Sequence, residues 1–68
     1  MKISARNQIP GKVTSVTKGA TTAHVKIDIG GTTITASITN EAVDALGLKS
    51  GSSVKAIVKA SDVMVGVD

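Results

Sequence analysis

The clearest pattern in the chain is a strict two-residue alternation between positions 22 and 39. In "TAHVKIDI", Ala23, Val25, Ile27 and Ile29 alternate with Thr22, His24, Lys26 and Asp28. After Gly30-Gly31, "TTITASIT" sets Ile34, Ala36 and Ile38 against Thr33, Thr35, Ser37 and Thr39. Period two marks half-buried strands, and a two-residue Gly-Gly link between them marks a hairpin. The register that matches the apolar sets puts Ile27 opposite Ile34, Val25 opposite Ala36 and Ala23 opposite Ile38. A slip of one residue would place these side chains against threonines.

The flanking pattern is less regular. "GKVTSVTKGA" predicts a strand from Lys12 to Lys18 that ends at Gly19, and its broken apolar phase predicts a bulge or a strong bend. The residues from Ile3 predict a first strand, separated from the next by a turn at Pro10-Gly11. Downstream, "TNEAVDALGLKSG" predicts a short helix of about two turns. Thr39 or Asn40 caps it, Glu41 lies in its first turn, and Ala42, Val43, Ala45 and Leu46 form its apolar face. Gly47 fits the position just past its end, with Leu48 as the apolar residue that follows. "SVKAIVKA" then predicts a strand, "SD" a break and "VMVGV" a final short strand. On the long strand Val54, Ala56, Val58 and Ala60 share one face. Lys55, Ile57, Lys59 and Ser61 share the other, and Ile57 among lysines suggests partial cover there as well. The order β-β-β-β-α-β-β predicts an all-β fold with a small α component: a five- to six-stranded barrel with one short helix before the last long strand. No linker or repeat interrupts it, so residues 1–68 are expected to form a single domain.

Composition changes this picture in one respect. The chain has 68 residues, no Cys and no Phe, Tyr or Trp, yet 41% of it is hydrophobic. Neither a disulfide nor a thiolate metal site is available, and a core of small aliphatic side chains encloses little volume. Apolar surface that one chain cannot enclose is buried between chains, so a homo-oligomer is expected. The net charge of +3 favours an anionic partner. Nucleic acid is disfavoured, because only one of the 8 basic residues is Arg and no aromatic side chain is present for stacking. No apolar run approaches the roughly 20 residues that span a membrane, and no signal peptide is visible, so a cytoplasmic protein is expected.

Candidate chemistry is sparse. His24 is the only His, and metal sites need several ligands, so no metal-cation site is expected. Glu41 and Asp44 are three apart on the helix, which is the spacing of a solvated face. No nucleophile–base grouping or Walker-type loop appears, so an enzyme is not expected. Two segments have unusual polarity: Ser4-Ala5-Arg6-Asn7-Gln8 and Lys59-Ala60-Ser61-Asp62. In strands each would place a cation and a hydroxyl on one face, beside backbone N–H groups where pairing stops. Such a set suits a small tetrahedral oxyanion, which must exchange its water for donors. Ordinary strand-edge polarity that blocks aggregation is the competing reading.

"SARNQIPGKV", "TASITNEAVDALGLKSGSSV" and "AIVKASDVMV" together resemble the molbindin (Mop) family of small molybdate-binding proteins, over essentially the whole chain. The resemblance implies an OB-like barrel that binds molybdate or tungstate as ligand, with no organic cofactor, for storage or homeostasis. It also implies a homohexamer, a trimer of dimers, with oxyanions held between subunits. Carried onto this chain, the implied ligands are Ser4 and Arg6 with the Ala5 backbone, Lys59 and Ser61 with the Ala60 backbone, and Thr39 ahead of the helix. Ile9 stands where the family often has an aromatic residue, a difference expected to affect packing more than anion contacts. Two alternatives remain: a molybdate-sensing regulatory module, and a swapped-hairpin DNA-binding transition-state regulator, since the latter also has "EAxxALGLKxGxxV"-like segments.

Overall fold

A computed structural model describes all 68 residues. The alternating segment forms the hairpin its pattern predicts. β2 (Thr22–Asp28) pairs antiparallel with β3 (Thr33–Thr39), with Ile27 opposite Ile34, Val25 opposite Ala36 and Ala23 opposite Ile38. Gly30 and Gly31 both have positive φ, at 106° and 93°. Their N–H groups both donate to Asp28 Oδ1, at 3.0 Å each. These two bonds hold the Asp28 carboxyl below its ordinary value of 3.8.

The N-terminal half differs from the pattern-based expectation. β1 (Asn7–Lys18) is one continuous strand of 12 residues, and Pro10-Gly11 lies inside it rather than at a turn. Its first half pairs with β4 (Ser53–Val58) and its second half with β2, with Lys12 opposite both Ser53 and Asp28. Pro10 has no N–H to donate, and it sits on the stretch that β4 alone flanks. At Gly11 a Cβ would lie 2.6 Å from Asp28 O and 2.7 Å from Ile27 Cγ2, so only glycine lets β1 pass so close to the end of β2. The Pro-Gly signal therefore marks a bend within one strand. The bulge expected downstream is present as a register shift between Val13 and Ser15.

The sheet order is β3-β2-β1-β4. The all-β class with one short helix before the last long strand holds, but the strand count is four rather than five or six. Two of the expected strands merge into β1. The first of these starts later than expected: Ile3 to Arg6 stay outside it, because the β1–β4 ladder begins at Asn7 and Val58. The strand expected over "VMVGV" does not form. A 3-10 turn at Ala60–Asp62, closed by Asp62 N–H to Lys59 O and Val63 N–H to Ala60 O, ends the extended run first. Lys59 and Ser61 thus do not share a strand face.

The helix α1 (Asn40–Leu46) follows its sequence signals closely. Thr39 is the N-cap, its Oγ1 accepting from Ala42 N–H at 3.0 Å. Gly47 is left-handed at φ 63°, and Leu48 N–H donates to Val43 O. Asn40 ties the helix start to the β1–β2 turn, through Nδ2 to Gly19 O and N–H to Thr21 O, both 2.9 Å. Of the expected apolar face only Val43 is buried, and Leu46 is 69% exposed. The outer face of β4 is open too, with Ile57 exposed. The core consists of Val13, Ala23, Val25, Ile27, Val43 and Ala56, all small or branched aliphatics.

Gly11→Ala is expected to cost about 1–3 kcal/mol, the range for forcing extra volume into a packed site. Urea denaturation measures it, and an unchanged midpoint would refute the close approach. Asp28 has a lowered pKa, so its contribution is present above pH 3.8 and fades as pH falls through its lower folded value. The protection of the Gly30 and Gly31 amides, relative to intrinsic exchange at the same pH, should fall on that descent, and at neutral pH in Asp28→Ala.

Candidate functional site

The β1–β4 ladder decides where the polar segments meet. Its outermost pair is Asn7 opposite Val58. Arg6 and Lys59 are the next residues outward, after which the 3-10 turn at Ala60–Asp62 takes the second segment out of the extended run. Antiparallel pairing within one chain thus delivers "SAR" and "KAS" to the same end of the sheet, although they lie near opposite ends of the sequence. The two segments are released from the ladder there. Arg6 Nε donates to Ser4 O at 3.0 Å, which bends the guanidinium back along its own backbone. Lys59 is the residue before the 3-10 turn, and as its first residues Ala60 and Ser61 have no intrahelical acceptor for their N–H groups.

Electrostatically this end is unbalanced. The one ion pair in the chain joins Lys18 to Asp44 at 2.5 Å, so Arg6 and Lys59 have no carboxylate partner. The Ser4, Lys59 and Ser61 side chains make no hydrogen bond within the chain, and these three residues and Arg6 are exposed. Two cations and two hydroxyls lie at one sheet end, with free N–H groups beside them and the exposed Asp62 carboxylate at the end of the 3-10 turn.

Thr39 does not join this group within one chain. It pairs with Thr22, the residue beyond the Lys18–Ala23 pair, and so lies at the opposite end of β1. Its Oγ1 is engaged as a cap acceptor, which leaves the hydroxyl proton free to donate. A site that used Thr39 together with Arg6 would need two copies of the chain.

The alternative chemical groupings are absent. No three of His, Cys, Asp and Glu come together to hold a metal ion. His24 is exposed on β2 between Thr17 and Ser37. Glu41 and Asp44 do not act as an acidic pair, since Asp44 is bound to Lys18. No helix is long and apolar enough to cross a membrane. What the sequence reading missed is the ladder itself: with Pro10-Gly11 taken as a turn, the partner of "KAS" could not be named. The signal available was the donor-free Pro10, which suits a strand flanked on one side only.

Comparison with known proteins agrees with this topology. The TOBE domain family matches residues 3–65. The chain belongs to that family. This TOBE chain is 51% identical over 69 residues to the "Probable molybdenum-pterin-binding protein" of Haemophilus influenzae, covering all of both chains. It is 48% identical over 66 residues to "Molybdenum-pterin-binding protein 2" of Clostridium pasteurianum, covering 96% of this chain and 97% of that one. The solved structure of a molybdate-binding protein from Sporomusa ovata superposes with a TM-score of 0.94 at 39% identity, covering 98% of this chain and 100% of that one. A TOBE match over nearly the whole length displaces the swapped-hairpin DNA-binding reading.

The cap assignment is open to measurement. Thr39→Ala should destabilise the fold by about 1 kcal/mol, within the 0.5–2 kcal/mol range of lost N-caps. Thr39→Ser should restore most of it, and a thermal melt that fails to separate the two variants would refute the cap.

Proposed function

We propose that this chain binds molybdate or tungstate without catalysis, at interfaces between its own copies, for cytoplasmic storage or homeostasis of the oxyanion. The observation that carries the reading is that Arg6 and Lys59, both without a counterion, directly follow the outermost Asn7–Val58 pair at one end of the β1–β4 ladder. The names of the relatives, molybdenum-pterin-binding and molybdate-binding, support the same ligand class. In this reading residues 1–68 act as one domain. Arg6 supplies a planar fork, Lys59 a point charge, and Ser4 and Ser61 single donors. The Ala5 and Ala60 backbones lie beside them, and Thr39 enters from a second copy. The oxyanion is the ligand, with no organic cofactor. A chain without Phe, Tyr or Trp offers none of those rings for stacking a pterin.

The assembly proposed is a homohexamer, a trimer of dimers. It accounts for the small core and for the exposure of Leu46, Ile57, Met64 and Val65 in the single chain. Each copy brings a charge of +3, so copies repel until dianions bind between them. The ligand therefore stabilises the assembly.

Calorimetric titration with molybdate tests the site. Arg6→Ala and Lys59→Ala each remove a charge-assisted donor, worth about 1.5–3 kcal/mol. Affinity should fall roughly ten- to a hundred-fold, with the far-ultraviolet circular dichroism unchanged. Wild-type affinity in both variants would overturn the assignment. Native mass spectrometry with and without molybdate should show a hexamer that gains oxyanions, and a monomer in both conditions would overturn the assembly.

A further inference from the structure

Arg6 is followed by two amides, Asn7 and Gln8, and the anion site as described uses neither of them. Gln8 is half-buried on β1 opposite Ile57 of β4, one pair inside the outermost Asn7–Val58 pair. The ladder therefore fixes its backbone. Its side chain reaches back over the segment that the ladder releases, where Nε2 donates to Ala5 O at 3.4 Å. Arg6 turns back as well, with Nε donating to Ser4 O at 3.0 Å. The carbonyls of Ser4 and Ala5, successive in the bend, are thus each held by a side chain from further along the chain. A trans peptide is planar, and its C=O and N–H point in opposite directions. Holding Ser4 O sets the direction of Ala5 N–H, and holding Ala5 O sets that of Arg6 N–H. Neither N–H is bonded within the chain. Each faces away from the side chain that holds its carbonyl.

We propose that Gln8 is a positioning residue for the oxyanion site: its amide holds the Ala5 carbonyl so that Arg6 N–H stands ready as a donor before the ligand arrives. The proposal rests on the oxyanion reading of this end of the sheet, and it gives Gln8 no contact with the anion. Ser4 to Arg6 lie outside every strand and helix, so a free donor there would otherwise swing with the backbone. A swinging donor loses conformational entropy when it closes on a ligand, and that loss weakens binding. Gln8 avoids it because its own backbone belongs to the sheet, a rigid element that supports the bend from outside. Arg6 alone does not achieve this, since its bond holds Ser4 O and leaves the next peptide to Gln8. That bond uses only Nε, and both terminal guanidinium nitrogens stay available for the anion.

Gln8→Met in the full-length chain tests this, since it keeps the length of the side chain and removes its donor. Gln8→Ala replaces it if that variant fails to fold. Calorimetric titration should show molybdate held about three- to ten-fold more weakly, the worth of one neutral hydrogen bond. The urea midpoint of the ligand-free protein should stay at the wild-type value. In amide proton NMR the Arg6 resonance of the wild type should move downfield as molybdate is added, and in Gln8→Met that movement should shrink. Wild-type affinity in the variant overturns the proposal. So does a weaker affinity that comes with a lowered urea midpoint and an unaltered Arg6 response, which is the signature of a merely structural role. A wild-type chain that gives neither heat nor a shift with molybdate sinks the oxyanion reading and this role with it, whereas a wild type that binds beside an unaffected variant sinks the role of Gln8 alone.

Discussion

The fold depends on one strand serving two partners. β1 gives its first half to β4 and its second half to β2, and the exchange happens at Lys12, which faces both. That exchange is possible because Gly11 has no side chain where the end of β2 closes in. Curvature follows from it. A strand that changes partner midway must bend, and the bulge between Val13 and Ser15 supplies further twist just beyond. The bend draws Val13, Ala23, Val25, Ile27 and Ala56 into one core, and α1 covers that core with Val43 alone.

The chemistry is placed by the same strand. Because β1 and β4 are antiparallel, the residue before β1 and the residue after β4 emerge side by side, and here both are cations. Nothing in the chain neutralises them. The two exposed cations gather donors at a surface that water reaches, where an anion is held only as far as those donors replace its shell of water.

Much of this was legible in the sequence, for physical reasons that differ from element to element. The β2–β3 hairpin was readable because every apolar residue in it obeys one period and its turn has the glycines that positive φ requires. The helix was readable because Thr39, Glu41, Gly47 and Leu48 are local signals that act within a turn of where they stand. β1 was misread because its bend depends on a contact with Asp28 and Ile27, distant residues that no local window contains. The tail was misread as a strand because intrinsic β propensity cannot say whether an edge is available to pair with. The candidate site residues could be chosen by type and by family resemblance. The placing of Arg6 and Lys59 at one end of the sheet needed the ladder, and the separation of Thr39 from that end needed the sheet order.

The β1–β4 ladder also has a consequence for the order in which the chain acquires its parts. The β2–β3 hairpin closes a link of a few residues, and the Asn40 contacts to Gly19 and Thr21 close over about twenty. The ladder joins Asn7 to Val58, nearly the whole length of the chain. Its closure costs the most chain entropy and is repaid only after the nearer contacts exist. Arg6 and Lys59, the two cations without a counterion, come directly after the outermost pair of this longest closure. A chain that has folded halfway has the hairpin and the helix but has not yet brought these two cations to one end of the sheet, so any contact that needs both of them reports a chain whose folding is complete.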